Sequence, residues 1–198
     1  MLRRASEYKQ MVWKNGGGVT DEIDRAPPSD EGEEFHWRLS MATVRYPGGP
    51  FSIYENIDRC LAVIQGKSLI LVRSDTDQSI HLDENSIPYS FEGEIPIVCR
   101  ISEETITDFN VMTRRDKYKH HVERMFLAID QPTLTITNNR DEILFIVVSQ
   151  GLLDVNHSRI EKKDSIKFID HHQPLQISSK TDQSIFFIVR ITKYSSTS

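Results

Sequence analysis

The sequence predicts an all-β protein made of two small barrels in tandem, and three observations carry that reading. Alternation with period two dominates, as in Phe35, Trp37, Leu39 and Met41 against His36, Arg38, Ser40 and Ala42. Helical periodicity never persists beyond about two turns. A hairpin followed by a returning strand occurs twice, first from Cys60 to Ile101 and again from Leu144 to Ile191.

The first marked element is Trp13-Lys14-Asn15-Gly16-Gly17-Gly18-Val19-Thr20, an aromatic, a cation and an amide running into three glycines. Glycine frees the main chain for tight turns and for close approach to a ligand or another segment. The phosphate-loop spacings G-x-x-x-x-G-K-[ST] and G-x-G-x-x-G are absent, so this is no nucleotide loop. Residues 27–34 form an acidic surface loop, and the alternating strand from Phe35 to Ala42 follows. Cys60 to Ile64 and Ser68 to Val72 are apolar runs joined by Gln65-Gly66-Lys67, a hairpin with a glycine turn. Further strands are expected at 95–101, 109–112, 122–129, 134–137, 143–149, 152–155, 165–168 and 185–191. The stretch from Thr113 to Arg124 admits either a helical turn or a strand, and 195–198 is a frayed tail.

The internal echo sets the division. Cys60-Leu-Ala-Val-Ile-Gln-Gly66 resembles Leu144-Phe-Ile-Val-Val-Ser-Gln-Gly151. Each is followed by a polar stretch, an aromatic (Phe91 or Phe168) and a closing strand, Val98 to Ile101 or Val189 to Ile191. One barrel is therefore expected over residues 1–115 and a second over 116–198, with the boundary between Arg115 and His121. No linker rich in Gly, Pro or Ser separates them, so the halves are expected to pack together.

Composition excludes several classes. A net charge of −5 and a pI near 5.8 do not advertise a nucleic-acid surface, and the basic group Arg114-Arg115-Asp116-Lys117 contains an acid. No segment approaches the length of a membrane span, and no signal-like apolar run follows Arg3-Arg4. Cys60 and Cys99 lie in apolar runs, as buried free thiols of a reducing compartment would; a disulfide between neighbouring strands is the alternative. The expectation is a cytoplasmic protein.

The ordered motifs Trp13 to Thr20, Trp37-Arg38-Leu39-Ser40-Met41-Ala42, Gly49-Pro50-Phe51-Ser52, Ile57-Asp58-Arg59, Phe91-Glu92-Gly93 and Asp108-Phe109-Asn110-Val111-Met112 before Arg114-Arg115 resemble the HutD/Ves family. The likeness covers about residues 8 to 115 and runs more loosely to the C-terminus. It implies a bicupin: two tandem double-stranded β-helix (jelly-roll-like) barrels packed as one unit. It also implies a metal-free protein that binds a small acidic metabolite of histidine utilisation and acts as a regulatory or accessory factor, or else a stress-linked Ves-type member. The long acidic loop before Phe35 departs from the family pattern, and the C-terminal half carries few family landmarks.

Metal-binding cupins resemble the pattern G-x5-H-x-H-x3-4-E-x6-G followed by P-x-G-x2-H, which brings three imidazoles and a carboxylate together. Counting back from Gly66, the glutamate position falls on Arg59 and the histidine positions near Ser52 and Tyr54; Gly93 falls near the last histidine. A permanent cation replaces the carboxylate, which disfavours a metal and suits a carboxylate ligand. No cofactor is expected. Arg59 offers a planar fork to such a ligand. Lys14, Asn15, Gly16 and Gly17 add charge, an amide and backbone N–H groups. Arg38 and Ser40 share one strand face, Ser52 falls at a former ligand position, and Phe109, Asn110 and Met112 are expected to line a wall, a strand-end role being the alternative for Asn110. The plain alternative for Arg59 and Arg38 is a surface ion pair.

Adjacent His120-His121 and His171-His172 would point to opposite strand faces, and His36, His81 and His157 read as surface residues, so no zinc site is expected. No serine sits in a G-x-S-x-G elbow. The first functional expectation is therefore binding of a small carboxylate such as formylglutamate, formiminoglutamate or urocanate, with no nucleic-acid or membrane partner. The alternative is a metal-independent lyase, isomerase or hydrolase acting on an amino-acid derivative, using Asp58, Asp108 or a histidine as base. A third option is a dimerisation module without a ligand; a homodimer fits any of the three.

Overall fold

The computed structural model describes residues 1–28, 34–171 and 173–194. Part of the acidic loop (29–33), His172 and the C-terminal tail lie outside the described residues. In chain order the strands are β1 (Leu2–Arg3), β2 (Lys9–Val12), β3 (Gly18–Ala26), β4 (Trp37–Arg45), β5 (Gly48–Pro50), β6 (Ile57–Gln65), β7 (Ser68–Arg73), β8 (Ser79–Asp83), β9 (Tyr89–Glu92), β10 (Ile97–Ile101) and β11 (Thr105–Arg114). They continue as β12 (Tyr118–Ala128), β13 (Leu134–Ile136), β14 (Glu142–Gln150), β15 (Leu152–Val155), β16 (Ser158–Glu161), β17 (Ser165–Ile169), β18 (Leu175–Ser179) and β19 (Gln183–Lys193). Among the described residues the single helical element is a 3-10 turn, Ala5–Glu7. None of their helices is long and apolar enough to cross a membrane. The ambiguous stretch after Thr113 is the end of β11, a turn and the start of β12.

Two compact units form, Lys9–Tyr118 on one side and Met1–Tyr8 with the residues from Lys119 onward on the other. The first unit holds a six-stranded sheet, β2-β3-β4-β11-β6-β9, and a four-stranded sheet, β5-β10-β7-β8. The second holds β1-β17-β14-β19-β12 and β13-β18-β15-β16. Within it the N-terminal strand pairs with β17, Leu2 opposite Ile166, and Arg4 reaches Asp164 Oδ2 at 2.6 Å. Nothing in the local sequence signals that Met1–Tyr8 would join strands more than 150 residues away.

The two units share a topology. The turns at Gly66 and Gly151 both take positive φ, 102° and 83°, where glycine carries no Cβ penalty. Phe91 on β9 pairs with Arg59 on β6, and Phe168 on β17 pairs with Leu144 on β14. The correspondence corrects the expected closing strand. Since β11 lies beside β6 as β19 lies beside β14, Val189 to Ile191 corresponds to part of β11, and the counterpart of β10 is β18. Short apolar strands look alike in sequence; only their partners tell them apart.

The interiors differ. In the second unit Leu144, Ile146, Val148, Leu153, Ile166, Phe186 and Ile188 belong to one continuous apolar cluster. In the first, Val44, Leu61, Val63, Leu69, Leu71, Cys99 and Ile106 fill only part of the interior. Burying such a side chain contributes about 1.5–3 kcal/mol, so both clusters are stabilising. Cys60 and Cys99 are buried free thiols, and burial pushes them up to about 11 and about 12.

Candidate functional site

The cavity of the first unit follows from strand parity. On β4, Leu39 and Met41 point to one face and Arg38, Ser40 and Ala42 to the other, because successive side chains alternate. Their cross-strand partners on β11 are Met112, Asn110 and Asp108, and β6 places Arg59 opposite Met112. A bulge between Glu22 and Asp24 resets parity on β3, so Glu22 and Arg25 both reach the same face. Together with Trp13, Lys14, Asn15, Phe51, Ser52 and Tyr54 these residues line a cavity of about 620 Å³.

Arg59 is the centre of its electrostatics. The residue is 5% exposed, yet among the described residues it has no carboxylate within ion-pair distance. Its guanidinium lies over Phe91 at 4.9 Å, Phe51 at 5.1 Å and Tyr54 at 5.8 Å, and Nη1 donates to the Ser52 carbonyl at 3.3 Å. Nε is buried without a partner. Burial pushes Arg59 down to about 10, with Tyr54 and Asp108 opposing it and Arg38 adding to it. Three ring faces, each worth about 0.5–2 kcal/mol, offset part of the desolvation cost of this cation.

The other charges are arranged around it. Arg38 Nε donates to Glu22 Oε2 at 2.7 Å, and Arg25 Nη1 lies 3.9 Å from the same oxygen. Asp108, 1% exposed, is pushed up to about 7 by burial, against the pull of Arg59. Its Oδ1 and that of Asn110 are buried without hydrogen-bond partners.

The glycine loop acts differently from the expectation. Gly16 N–H donates to the Trp13 carbonyl at 2.9 Å and Gly17 N–H to Asn15 Oδ1 at 3.0 Å, so both donors are used within the loop. What the loop supplies to the cavity rim is Trp13, Lys14 and Asn15. Gly18 is there for space: a Cβ would stand 2.6 Å from the Thr43 carbonyl and 3.1 Å from the Trp13 ring. Gly18→Ala should therefore destabilise by about 1–3 kcal/mol in urea unfolding, as overpacking against backbone does. Gly17→Ala, whose Cβ meets only the Asn15 side chain at 3.2 Å, should cost less.

Of the residues singled out in the sequence, Lys14, Asn15, Arg38, Ser40, Ser52, Arg59, Asn110 and Met112 line one cavity. Gly16, Gly17 and Phe109 do not; Phe109 faces the other side of β11, opposite Met41 and Ala62. Asp58 is held outside by Arg115 at 2.8 Å, which also grips Glu94 at 3.0 Å. That clamp uses the motif residues around Ile57, Gly93 and Arg115: Gly93 N–H donates to the Ile57 carbonyl, and Tyr54 N–H to that of Gly93. It holds Tyr54 where its ring meets Arg59. Sequence reading missed Glu22 and Arg25, because a bulge carries no local signature. It assigned no ligand role to Phe51 and Tyr54, although the motif Gly49 to Ser52 and the register of Tyr54 pointed to both.

The equivalent positions of the second unit give an internal comparison. Leu144 occupies the place of Arg59, and Phe186 and Ile188 those of Asp108 and Asn110, judged by their partners Val148 and Ile146. All three are core residues. The same frame is thus filled in one unit and opened by polar residues in the other.

Two antiparallel double-sheet barrels of common topology, one packed and one hollow, define a bicupin. The chain belongs to the HutD family, whose model HutD matches residues 5–187. HutD from Pseudomonas fluorescens SBW25 has a similar structure, with a TM-score of 0.83, 23% identity, and coverage of 98% of this chain and 99% of that one. A Pseudomonas putida protein described as an uncharacterized 21.2 kDa protein in the hutC 3′ region is 35% identical over 123 residues, 62% of each chain. Protein Ves from Cronobacter sakazakii is 29% identical over 88% of this chain and 90% of its own length. The bacterial pirin YhhW of Escherichia coli, in complex with nickel(II), shares the fold at TM-score 0.72 and 12% identity, over 96% of this chain and 97% of that one.

The donor set here does not fit such a metal. At the positions aligned with cupin metal ligands the first unit carries Ser52, Tyr54, Arg59 and Gly93, and the first three line the cavity. Among the described residues no group of three or more His, Cys, Asp or Glu side chains converges as metal ligands would. A cation at the centre repels a divalent ion.

Proposed function

We propose that the cavity of the first unit binds a small carboxylate metabolite without a metal, and that the protein serves histidine utilisation as a regulatory or accessory factor. The observation that carries this reading is Arg59, a buried guanidinium with an unpartnered Nε and no carboxylate of its own. A buried charge that lacks its counter-ion in the protein is expected to receive it from a ligand. The volume of about 620 Å³ suits a small organic acid. Arg38 is neutralised by Glu22, which leaves Arg59 as anchor, with Lys14 and Asn15 at the rim and Ser40, Ser52, Asn110 and Met112 on the walls. The link to histidine utilisation rests on the family and on the hutC 3′ region of the Pseudomonas putida relative.

A thermal-shift series on metal-stripped protein tests this, using urocanate, formiminoglutamate, formylglutamate, glutamate, formate and divalent metals. One or more carboxylates should raise Tm in a saturable way and no metal should, since a ligand of the native state stabilises by mass action. A metal-only response would sink the reading. A second reading, an enzyme acting on the same acids, is favoured by one observation: Asp108 is a cavity carboxyl held near the pH at which a general base works. Product formation from any of these acids, followed by NMR, would establish it.

A further inference from the structure

Asp108 is, with Arg59 and Glu22, one of three buried ionisable groups of the cavity, and it is not paired with Arg59. It sits on β11 between Ala42 of β4 and Val63 of β6, and no ion pair ties it to Arg59 within the same cavity. The charged and titratable groups that line the same cavity are few. Arg59 comes from β6, Arg38 from β4 and Glu22 with Arg25 from β3; Lys14 and Tyr54 come from the loops, and Asn110 from its own strand. Arg38 and Glu22 are committed to each other. Cys99 on β10, whose thiol is raised by burial and by Asp108, stays neutral. No histidine is among the lining residues.

An incoming carboxylate on Arg59 therefore brings another negative charge into the cavity that holds the buried Asp108 carboxyl, where Glu22 is already offset by Arg38. Two carboxylates in such a space do not both ionise; one keeps a proton. We propose that the site takes its ligand as a carboxylate together with one proton, which resides on Asp108 and makes it the residue that selects an anionic head group. The inference rests on the carboxylate reading above. Protonated Asp108 offers an O–H to the cavity where its ionised form offers only acceptors. A head group carrying N–H donors in place of the carboxylate gains nothing from that proton.

The sign of the pH dependence follows. Burial holds Asp108 near 7 in the free protein. Below that value it is already protonated and affinity is flat with pH. Above it each ligand bound must draw one proton from solution, so Kd rises by about tenfold per pH unit.

Calorimetric titration with N-formylglutamate from pH 6 to 9 tests this, because both carboxyls of that probe stay ionised throughout. The expected result is a flat Kd up to about pH 7 and a rise of about tenfold per unit beyond it. In HEPES and Tris at pH 8 the binding heats should differ by the uptake of close to one proton. Asp108→Asn should bind with a pH-independent Kd and take up no proton. The two-buffer comparison uses the wild-type protein, so it decides the matter even if that variant folds poorly. Binding with a constant Kd and no proton uptake, or with proton release, overturns the proton-coupled site and leaves the carboxylate reading standing. If neither N-formylglutamate nor any other acid of the thermal-shift series binds at any pH, both fall.

Discussion

Replacing Arg59 by Met should abolish carboxylate binding and leave the protein at least as stable as before. Truncating one partner of a buried charge pair costs about 2–5 kcal/mol of binding, so Kd should weaken by about 30-fold or more. The stability argument has the opposite sign. Holding Arg59 down at about 10, chiefly by burial, corresponds to about 3 kcal/mol against charging it in the fold. Methionine is long, flexible and apolar, and it would keep contact with Phe51, Tyr54 and Phe91. Arg59→Ala should lose binding equally but leave a cavity. Arg59→Lys should restore little, because a point charge lacks the planar fork that grips a carboxylate. Calorimetry with the Tm-active acid and urea unfolding separate the two effects. Unchanged affinity would remove Arg59 as the anchor; a large fall in stability for the Met variant would make it a structural cation instead.

Asp108→Asn should stabilise the protein at pH 8 and have little effect at pH 4. The unfolded carboxyl titrates near 3.8 and the folded one near 7, so between these values the native state holds a proton that the unfolded chain has released. Stability therefore falls as pH rises through that window, and the loss is complete above about 7. Its full size is about 4 kcal/mol, at about 1.4 kcal/mol for each pH unit that separates the two titrations. Asparagine has nearly the same shape and carries no charge to desolvate. The difference between variant and wild type should grow from near zero at pH 4 to a few kcal/mol at pH 8, read by urea unfolding at both. Groups whose carboxyls are held low, such as Asp83 through Ser86 and Glu94, against its burial, through Arg115, act below this window and cancel in the comparison. A constant offset across pH would show that Asp108 is not held up by burial.

Much of the fold was legible because strands declare themselves locally. The alternation from Trp37 to Ala42 lies in β4, with Phe35 and His36 just before it, and the glycine turn at Gly66 is the β6–β7 hairpin with its copy at Gly151. The pairing of repeats was less legible. Val98 to Ile101 and Val189 to Ile191 look like copies, yet they occupy different places in their sheets, because any short buried strand draws on the same few apolar residues. The candidate site was legible in its arginine, since seven residues before a barrel glycine stands a cation in one repeat and Leu144 in the other. The contribution of β3 was not, because Glu22 and Arg25 reach one face only through a bulge that depends on pairing with β4.

By itself the sequence determined the strands, their duplication and the presence of a cation where a related barrel would place a metal-binding carboxylate. All of these follow from residue type and spacing, which act over a few neighbouring positions. Only the tertiary structure decided that both faces of β4 are buried and which of them lines the cavity. In sequence the face of Arg38, Ser40 and Ala42 suits either solvent or a barrel interior; in the fold it lines a cavity together with residues of β3, β6 and β11 of the same sheet. It also decided that Arg59 and Asp108 share that cavity without pairing. Burial and electrostatic partnership are properties of distance in space, and strands 49 residues apart in the chain carry no local mark of having become neighbours.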